Sequence, residues 1–196
     1  MEMIKRIPYG VSDFEVVNNK NEYYVDKTMF IPEIERTKFV FLIRPRRFGK
    51  SLLLSTLHAY YDIKYKDKFE EMYHDTWILE NPTAERGKYL TLYFNFSAIL
   101  KDKDKVQDDF NNYCLIVLDK FIYKYRDYLP QRLHEKITFV NTAHEKIHVI
   151  ATELSEADYK IYLFIDEYDN FTNTLLTDFG EGEYKRITRQ AGYFKQ

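Results

Sequence analysis

The stretch from Phe39 to Tyr61, FVFLIRPRRFGKSLLLSTLHAYY, constrains the fold more than any other part of the chain. It opens on a short apolar run, Phe39-Val40-Phe41-Leu42-Ile43, rich in β-branched and aromatic residues. Such a run suits a strand covered on both faces, as in a parallel sheet. A basic turn follows. Gly49-Lys50-Ser51 then begins a segment with apolar residues at Leu53, Leu54, Leu57, Tyr60 and Tyr61, which is helical spacing. Strand, Gly-Lys-Ser turn and helix, in that order, is the context that a phosphate-binding P-loop requires.

The chemistry of such a turn is specific. N–H groups of the turn and of the first helical residues lack partners inside the helix and can point at phosphate oxygens. Lys50 supplies a point charge for the outer phosphates, and the Ser51 hydroxyl a ligand for magnesium. The usual pattern has a glycine five positions before Gly49, where this chain has Arg44 followed by Pro45. Pro45 fixes its own φ and keeps Arg44 extended, so rigidity is expected to preset the turn. Arg44, Arg46, Arg47 and Lys50 put four cations within seven residues. The plainer alternative is a solvated basic turn that happens to contain Gly-Lys-Ser, and a second motif has to decide between them.

A chain of 196 residues can bury one ordinary core. The net charge of −2 offers no broad basic face, so the four-cation turn is expected to serve a nucleotide's phosphates and not a nucleic-acid backbone. A single cysteine, Cys114, excludes an internal disulfide framework and fits a reducing compartment. The N-terminal MEMIKRIPYG has no apolar signal region, and no apolar run nears membrane-spanning length. The expectation is a cytoplasmic protein with no membrane partner.

Residues 1–38 read as a lead-in and 39–196 as the main domain. Ile7-Pro8-Tyr9-Gly10 suggests an extended turn and Tyr23-Tyr24-Val25 a short strand. Asp26 or Thr28 can cap a helix through Ile31, Pro32 and Ile34. Residues 62–88 look charged and irregular, with Met72 and Trp77 packing there. Tyr89–Phe96 (YLTLYFNF) predicts a strand. Apolar positions at Val106, Phe110, Tyr113, Cys114, Val117, Phe121 and Tyr125 predict a long amphipathic helix with Cys114 on its core side. Further helical patterning around Leu133, Ile137, Ile147, Ile150 and Leu154 leads to a strand at Ile161–Ile165. Strands alternating with helices indicate an α/β fold with a mainly parallel sheet and flanking helices.

Asp166-Glu167-Tyr168-Asp169 follows that last strand directly. An apolar strand ending in Asp-Glu is the expected companion of a P-loop. Asp166 would hold magnesium, directly or through water, and Glu167 would polarise an attacking water as general base. Ligand sites in open α/β sheets lie beyond the carboxyl ends of strands, where both motifs sit. The alternative is that Asp166 and Glu167 only cap a helix starting near Asn170. A rival motif is His144-Glu145-Lys146-Ile147-His148, which matches H-E-x-x-H, two imidazoles on one helix face for zinc with the glutamate as base. Lys146 would bring a cation to that site, and only Glu153 or Glu156 could be tried as a third ligand. A surface helix with two exposed histidines explains the motif better. A zinc metalloprotease through His144, Glu145 and His148 is the distant alternative.

Four strings, IPYGVSDFE (Ile7–Glu15), YYVDKTMFI (Tyr23–Ile31), RPRRFGKSLLLSTL (Arg44–Leu57) and FIDEYD (Phe164–Asp169), occur in that order across the chain. Together they resemble the AAA-ATPase-like family of bacterial and archaeal P-loop proteins, often joined to a PD-(D/E)XK-type nuclease-like domain. That family itself carries arginine at the position of Arg44. The resemblance implies a P-loop NTPase-like fold and ATP with Mg2+ as cofactors. Arg44, Pro45, Arg46, Arg47, Phe48, Gly49, Lys50, Ser51 and Leu52 would bind the nucleotide. Ser51 and Asp166 would hold the metal, and Lys50 and Glu167 would be catalytic. Two function classes stay open: an ATPase module that switches a larger assembly, or a silent nucleotide-binding or interaction module. The second could be incomplete, or could need a second subunit of an oligomer to supply an arginine finger.

The resemblance also implies that the P-loop strand and the Asp-Glu strand are not neighbours, because a later sensor strand inserts between them. After Asp169 the sequence offers only a helix start at Thr172–Leu176, a turn at Gly180-Glu181-Gly182 and a basic segment from Tyr184 to Gln196. The expectation is therefore a fragment whose missing C-terminal region is a partner, with Phe39–Ile43 and Ile161–Ile165 unpaired with each other.

Overall fold

The structure is a computed structural model that describes residues 5–43, 45, 47–99 and 105–168. The predicted features at Arg44, Arg46, Asp169, Asn170, Thr172–Leu176, Gly180–Gly182 and Tyr184–Gln196 lie outside the described residues. The chain divides into two compact units. One contains residues 1–91 and 159–162, the other residues 92–158 and 163–196.

In the first unit, Asp13 caps helix α1 (Phe14–Asn19) by accepting the Val16 N–H at 3.1 Å, and the helix buries Phe14 and Val17. Tyr23–Val25 is not a strand. The segment joins no ladder, and its one backbone bond among those described runs from Tyr23 N–H to the Arg6 carbonyl. A 3-10 turn (Thr28–Phe30) leads into α2 (Ile31–Glu35), with Pro32 in its first turn, where the missing N–H costs nothing. Helix α3 (Lys50–Tyr61) buries Leu53, Thr56, Leu57, Ala59, Tyr60 and Tyr61. It ends at Asp62, whose extended backbone stops the helix and whose carboxylate accepts the Lys64 N–H. The stretch expected to be irregular is instead a 3-10 segment (Ile63–Lys68) followed by α4 (Phe69–Met72) and α5 (Trp77–Glu80). Met72 is buried as expected, but Trp77 is 40% exposed.

The core of this unit is a cluster of tyrosines. Tyr60 meets Tyr61, Phe69 and Tyr73 edge-on at 5.2–6.0 Å between ring centroids. Two of the hydroxyls find partners, as buried tyrosines usually do: Tyr73 donates to the Thr56 carbonyl at 2.6 Å, and Tyr60 shares a bond with Thr83 at 3.0 Å. A buried polar chain runs beside it, from His58 Nε2 to Thr91 Oγ1 (2.9 Å) and from Thr91 to Asp62 (3.0 Å).

The sheet pairs β1 (Tyr89–Asn95) with β2 (Lys160–Asp166) in parallel. The division between the units falls inside both strands. Between β1 and β2 in sequence come α6 (Val106–Lys124), α7 (Gln131–Ile137) and α8 (Ala143–Glu156), the kind of helical crossover a parallel pair needs. In the second unit α8 packs on α6 and α7, and Leu118, Phe121, Leu133, Ile150 and Leu154 are buried. Cys114 is buried on α6, and burial pushes its thiol up to about 11. Glu153 on α8 is almost fully enclosed and receives Lys136 at 2.6 Å together with Arg132. No helix among the described residues is long and apolar enough to cross a membrane.

The main departure from the sequence reading is Phe39–Ile43. It is neither a strand nor buried: Phe39, Phe41 and Ile43 are 73–81% exposed. Its composition is that of a covered strand, but a strand exists only through its neighbours' hydrogen bonds. Among the described residues the sheet consists of β1 and β2, and no ladder joins 39–43 to either. Because 39–43 is not a strand, its expected place in the sheet relative to 161–165 has no counterpart among the described residues. The α/β class with a parallel pair holds, and the sheet is smaller than expected.

Candidate functional site

In the first unit the basic turn meets α3 at Gly49, which has φ of 74° and serves as the N-cap residue of the helix. A side chain in this left-handed region is strained, and glycine adopts it without cost. Arg47 is also left-handed, at φ 69°, so two such residues flank Phe48 and set the path of the turn. The expectation that proline rigidity replaces glycine freedom is therefore only half of the account. The first helical bond runs from Leu53 N–H to the Gly49 carbonyl at 2.9 Å. The amides of Ser51 and Leu52 precede it and have no carbonyl one turn back. The first turn of α3 contains no acidic residue, and Gly49 has no side chain with which to cap it. Pro45 and Phe48 are exposed, and Gly49, Lys50, Ser51 and Leu52 are half-buried.

The head of α3 is held rigidly. Ser55 Oγ accepts the Phe14 N–H at 3.0 Å, and Thr56 Oγ1 bonds to Leu52 O at 2.9 Å and to Tyr24 O–H at 3.1 Å. Among the described residues outside the turn itself, a Cβ built on Gly49 would meet only Lys27 Nζ, a cation, at 4.0 Å. The residues fit a phosphate group on that ground.

In the second unit Asp166 ends β2 and is 1% exposed. Its Oδ2 accepts the Tyr93 hydroxyl from β1 at 3.1 Å, and its Oδ1 accepts the Glu167 N–H at 3.0 Å. Burial, then the Asp166 carboxylate, hold the Tyr93 hydroxyl well above the usual range, so it is a donor at any ordinary pH. Glu167 has φ of 54°, which turns the chain sharply after the strand. Both Asp166 oxygens thus have protein donors, an arrangement suited to reaching a metal through a water. No group of three or more His, Cys, Asp or Glu among the described residues could hold a metal alone. Magnesium commonly takes one or two carboxylates and completes its shell with water and phosphates, so the donor set fits it.

The H-E-x-x-H segment lies at the start of α8, with His144, Glu145 and His148 exposed. Thr142 caps the helix through Glu145: its Oγ1 accepts the Glu145 N–H at 3.2 Å and donates to the Glu145 carboxylate at 2.9 Å. Lys146 faces inward and pairs with Asp119 at 2.7 Å. The sequence reading missed Tyr93 and Lys27. The position of Lys27 inside YYVDKTMFI was the only signal for it, and Tyr93, on a strand, gave none.

No solved structure matches the chain. A protein described as an uncharacterized protein in the vnfD 5' region of Azotobacter chroococcum mcd 1 is 49% identical over 55 residues. That match covers 27% of this chain and 11% of the relative, so the chain spans only a small part of that protein. The family model described as predicted AAA-ATPase matches residues 8–195, nearly the whole sequence. The chain belongs to the AAA-ATPase-like family.

Proposed function

We propose that the chain is an ATP-binding and ATP-hydrolysing P-loop module of a larger AAA-ATPase-like protein. The observation that carries this reading is the head of α3, where Gly49 is left-handed, Lys50 and Ser51 open the helix, and the first turn holds no acidic residue. Lys50 binds the outer phosphates, and the turn's amides and cations bind the rest of the chain of phosphates. Ser51 and Asp166 would hold magnesium; the Asp166 oxygens already accept from Tyr93 and Glu167. Magnesium, when bound, neutralises charge that develops between the outer phosphates. Glu167 takes a proton from the attacking water. The choice of ATP rests on the family.

A second reading is a silent nucleotide-binding module, favoured by the prior engagement of both Asp166 oxygens. Its hydrolysis would then need a residue from a second subunit or from the rest of its protein. Magnesium-dependent ATP binding and turnover of the purified chain test these readings. Lys50→Ala and Asp166→Ala are expected to abolish binding or turnover, and His144→Ala and His148→Ala to leave both intact. Stoichiometric zinc lost together with activity in His148→Ala would overturn the assignment. Binding without turnover in the wild type would favour the silent module.

A further inference from the structure

The segment Tyr23–Ile31 brings a second lysine to the turn. Among the described residues outside the turn, Lys27 Nζ is the atom a Cβ built on Gly49 would meet, at 4.0 Å. Its neighbours fix the backbone that carries it. Asp26 Oδ1 accepts the Thr28 N–H at 2.8 Å, and Asp26 Oδ2 accepts the Trp77 N–H at 2.7 Å. Thr28 is fully buried, and its Oγ1 accepts the Ile78 N–H at 3.1 Å. The residues on either side of Lys27 are thus clamped to the start of α5. Asp26 spends both oxygens on backbone amides, while among the described residues the Lys27 ammonium makes one long contact, 3.4 Å to the Val25 carbonyl.

The sign of the charge is what makes this placement informative. The start of a helix carries partial positive charge, and a cation beside it opposes the helix dipole. A lysine placed for stability belongs near a helix C-terminus. Here a clamped backbone carries one beside the N-cap glycine of α3, whose first turn holds no acid to balance it. The arrangement becomes favourable once an anion lies between the ammonium and the amides.

We propose that Lys27 is a phosphate-binding residue of the nucleotide site, its ammonium sharing a phosphate group with the head of α3. The inference rests on the nucleotide reading above and adds to the site a residue outside the Gly-Lys-Ser motif. Its test is titration of the full chain with Mg-ATP, with inorganic tripolyphosphate and with adenosine, alongside thermal melts. Lys27→Ala should weaken both ATP and tripolyphosphate by about tenfold or more, as loss of a charge-assisted hydrogen bond does. Lys27→Gln, which keeps the stem, should do the same, and neither variant should alter whatever adenosine binding exists. Without ligand both variants should melt at or above the wild-type temperature, since a repulsion has been removed, and the rise on adding ATP should shrink. Wild-type affinities in both variants, with Lys50→Ala weakened, would overturn the role of Lys27 and leave the nucleotide reading standing. Failure of the wild type to bind ATP or tripolyphosphate would overturn both. A lower melting temperature without ligand and an undiminished ATP-induced rise would make Lys27 a structural residue and overturn the proposal.

Discussion

Replacing Thr28 by valine tests the frame that holds the Tyr23–Ile31 segment against α5. Valine has the shape of threonine but offers a methyl group where Oγ1 accepted the Ile78 N–H at 3.1 Å. Both residues are fully buried, so no water replaces the lost acceptor. An amide left unpaired in such a place costs about 1–3 kcal/mol. For a chain of this size each kcal/mol lowers the melting temperature by roughly 2–4 °C, so a fall of roughly 2–12 °C is expected. Thermal and urea unfolding measure the total, and hydrogen exchange at the Ile78 amide locates it. In Thr28→Val that amide should exchange faster than its neighbours. In Thr28→Ser, which keeps the oxygen, it should stay protected although the lost methyl costs about 0.5–1.5 kcal/mol. A valine variant as stable as the wild type with Ile78 still protected would refute the assignment of this bond to stability.

Glu167→Gln should leave ATP affinity near the wild-type value and cut turnover by about two orders of magnitude or more, measured by phosphate release, because the base acts in the transition state. Normal hydrolysis in that variant would remove Glu167 from the mechanism. Burial raises the Cys114 thiol to about 11, so its reactive thiolate is scarce at pH 8 and grows about tenfold per pH unit towards 11. Alkylation of the folded chain at pH 8 should accordingly be slow and become fast on unfolding; rapid labelling of native protein at that pH would contradict the placement of Cys114 on the core side of α6.

Where a pattern repeats within one element, it was legible. The 3.6-residue spacing from Phe110 to Phe121 gives α6, and the apolar runs at Tyr89 and Ile161 give β1 and β2 with Asp166 at its end. Helices α4 and α5 have four residues each, too few for any period to show, so the region around them looked irregular. Phe39–Ile43 failed for a different reason. An apolar run says what a strand is made of, whereas pairing depends on where other strands lie. The site divides in the same way. Gly49-Lys50-Ser51 and Asp166-Glu167 are local strings, while the approach of Lys27 to Gly49 and the bond from Tyr93 to Asp166 join residues far apart in sequence. Contacts of that kind come from the packing of α1, α3 and α5 or from strand pairing, which no short window records.

The clamp between Asp26 and Trp77 gives the protein a built-in optical probe. Trp77 is the single tryptophan of the chain, and its own N–H is the one that Asp26 accepts. The residue is 40% exposed, so its emission is sensitive to the solvent around the first turn of α5. Eighteen tyrosines absorb at shorter wavelength and can pass excitation to it. Red-edge excitation isolates Trp77 from them, and quenching by iodide or acrylamide then reads its exposure. Fluorescence with no label attached can therefore follow the one segment that carries Lys27, a residue with no chromophore of its own.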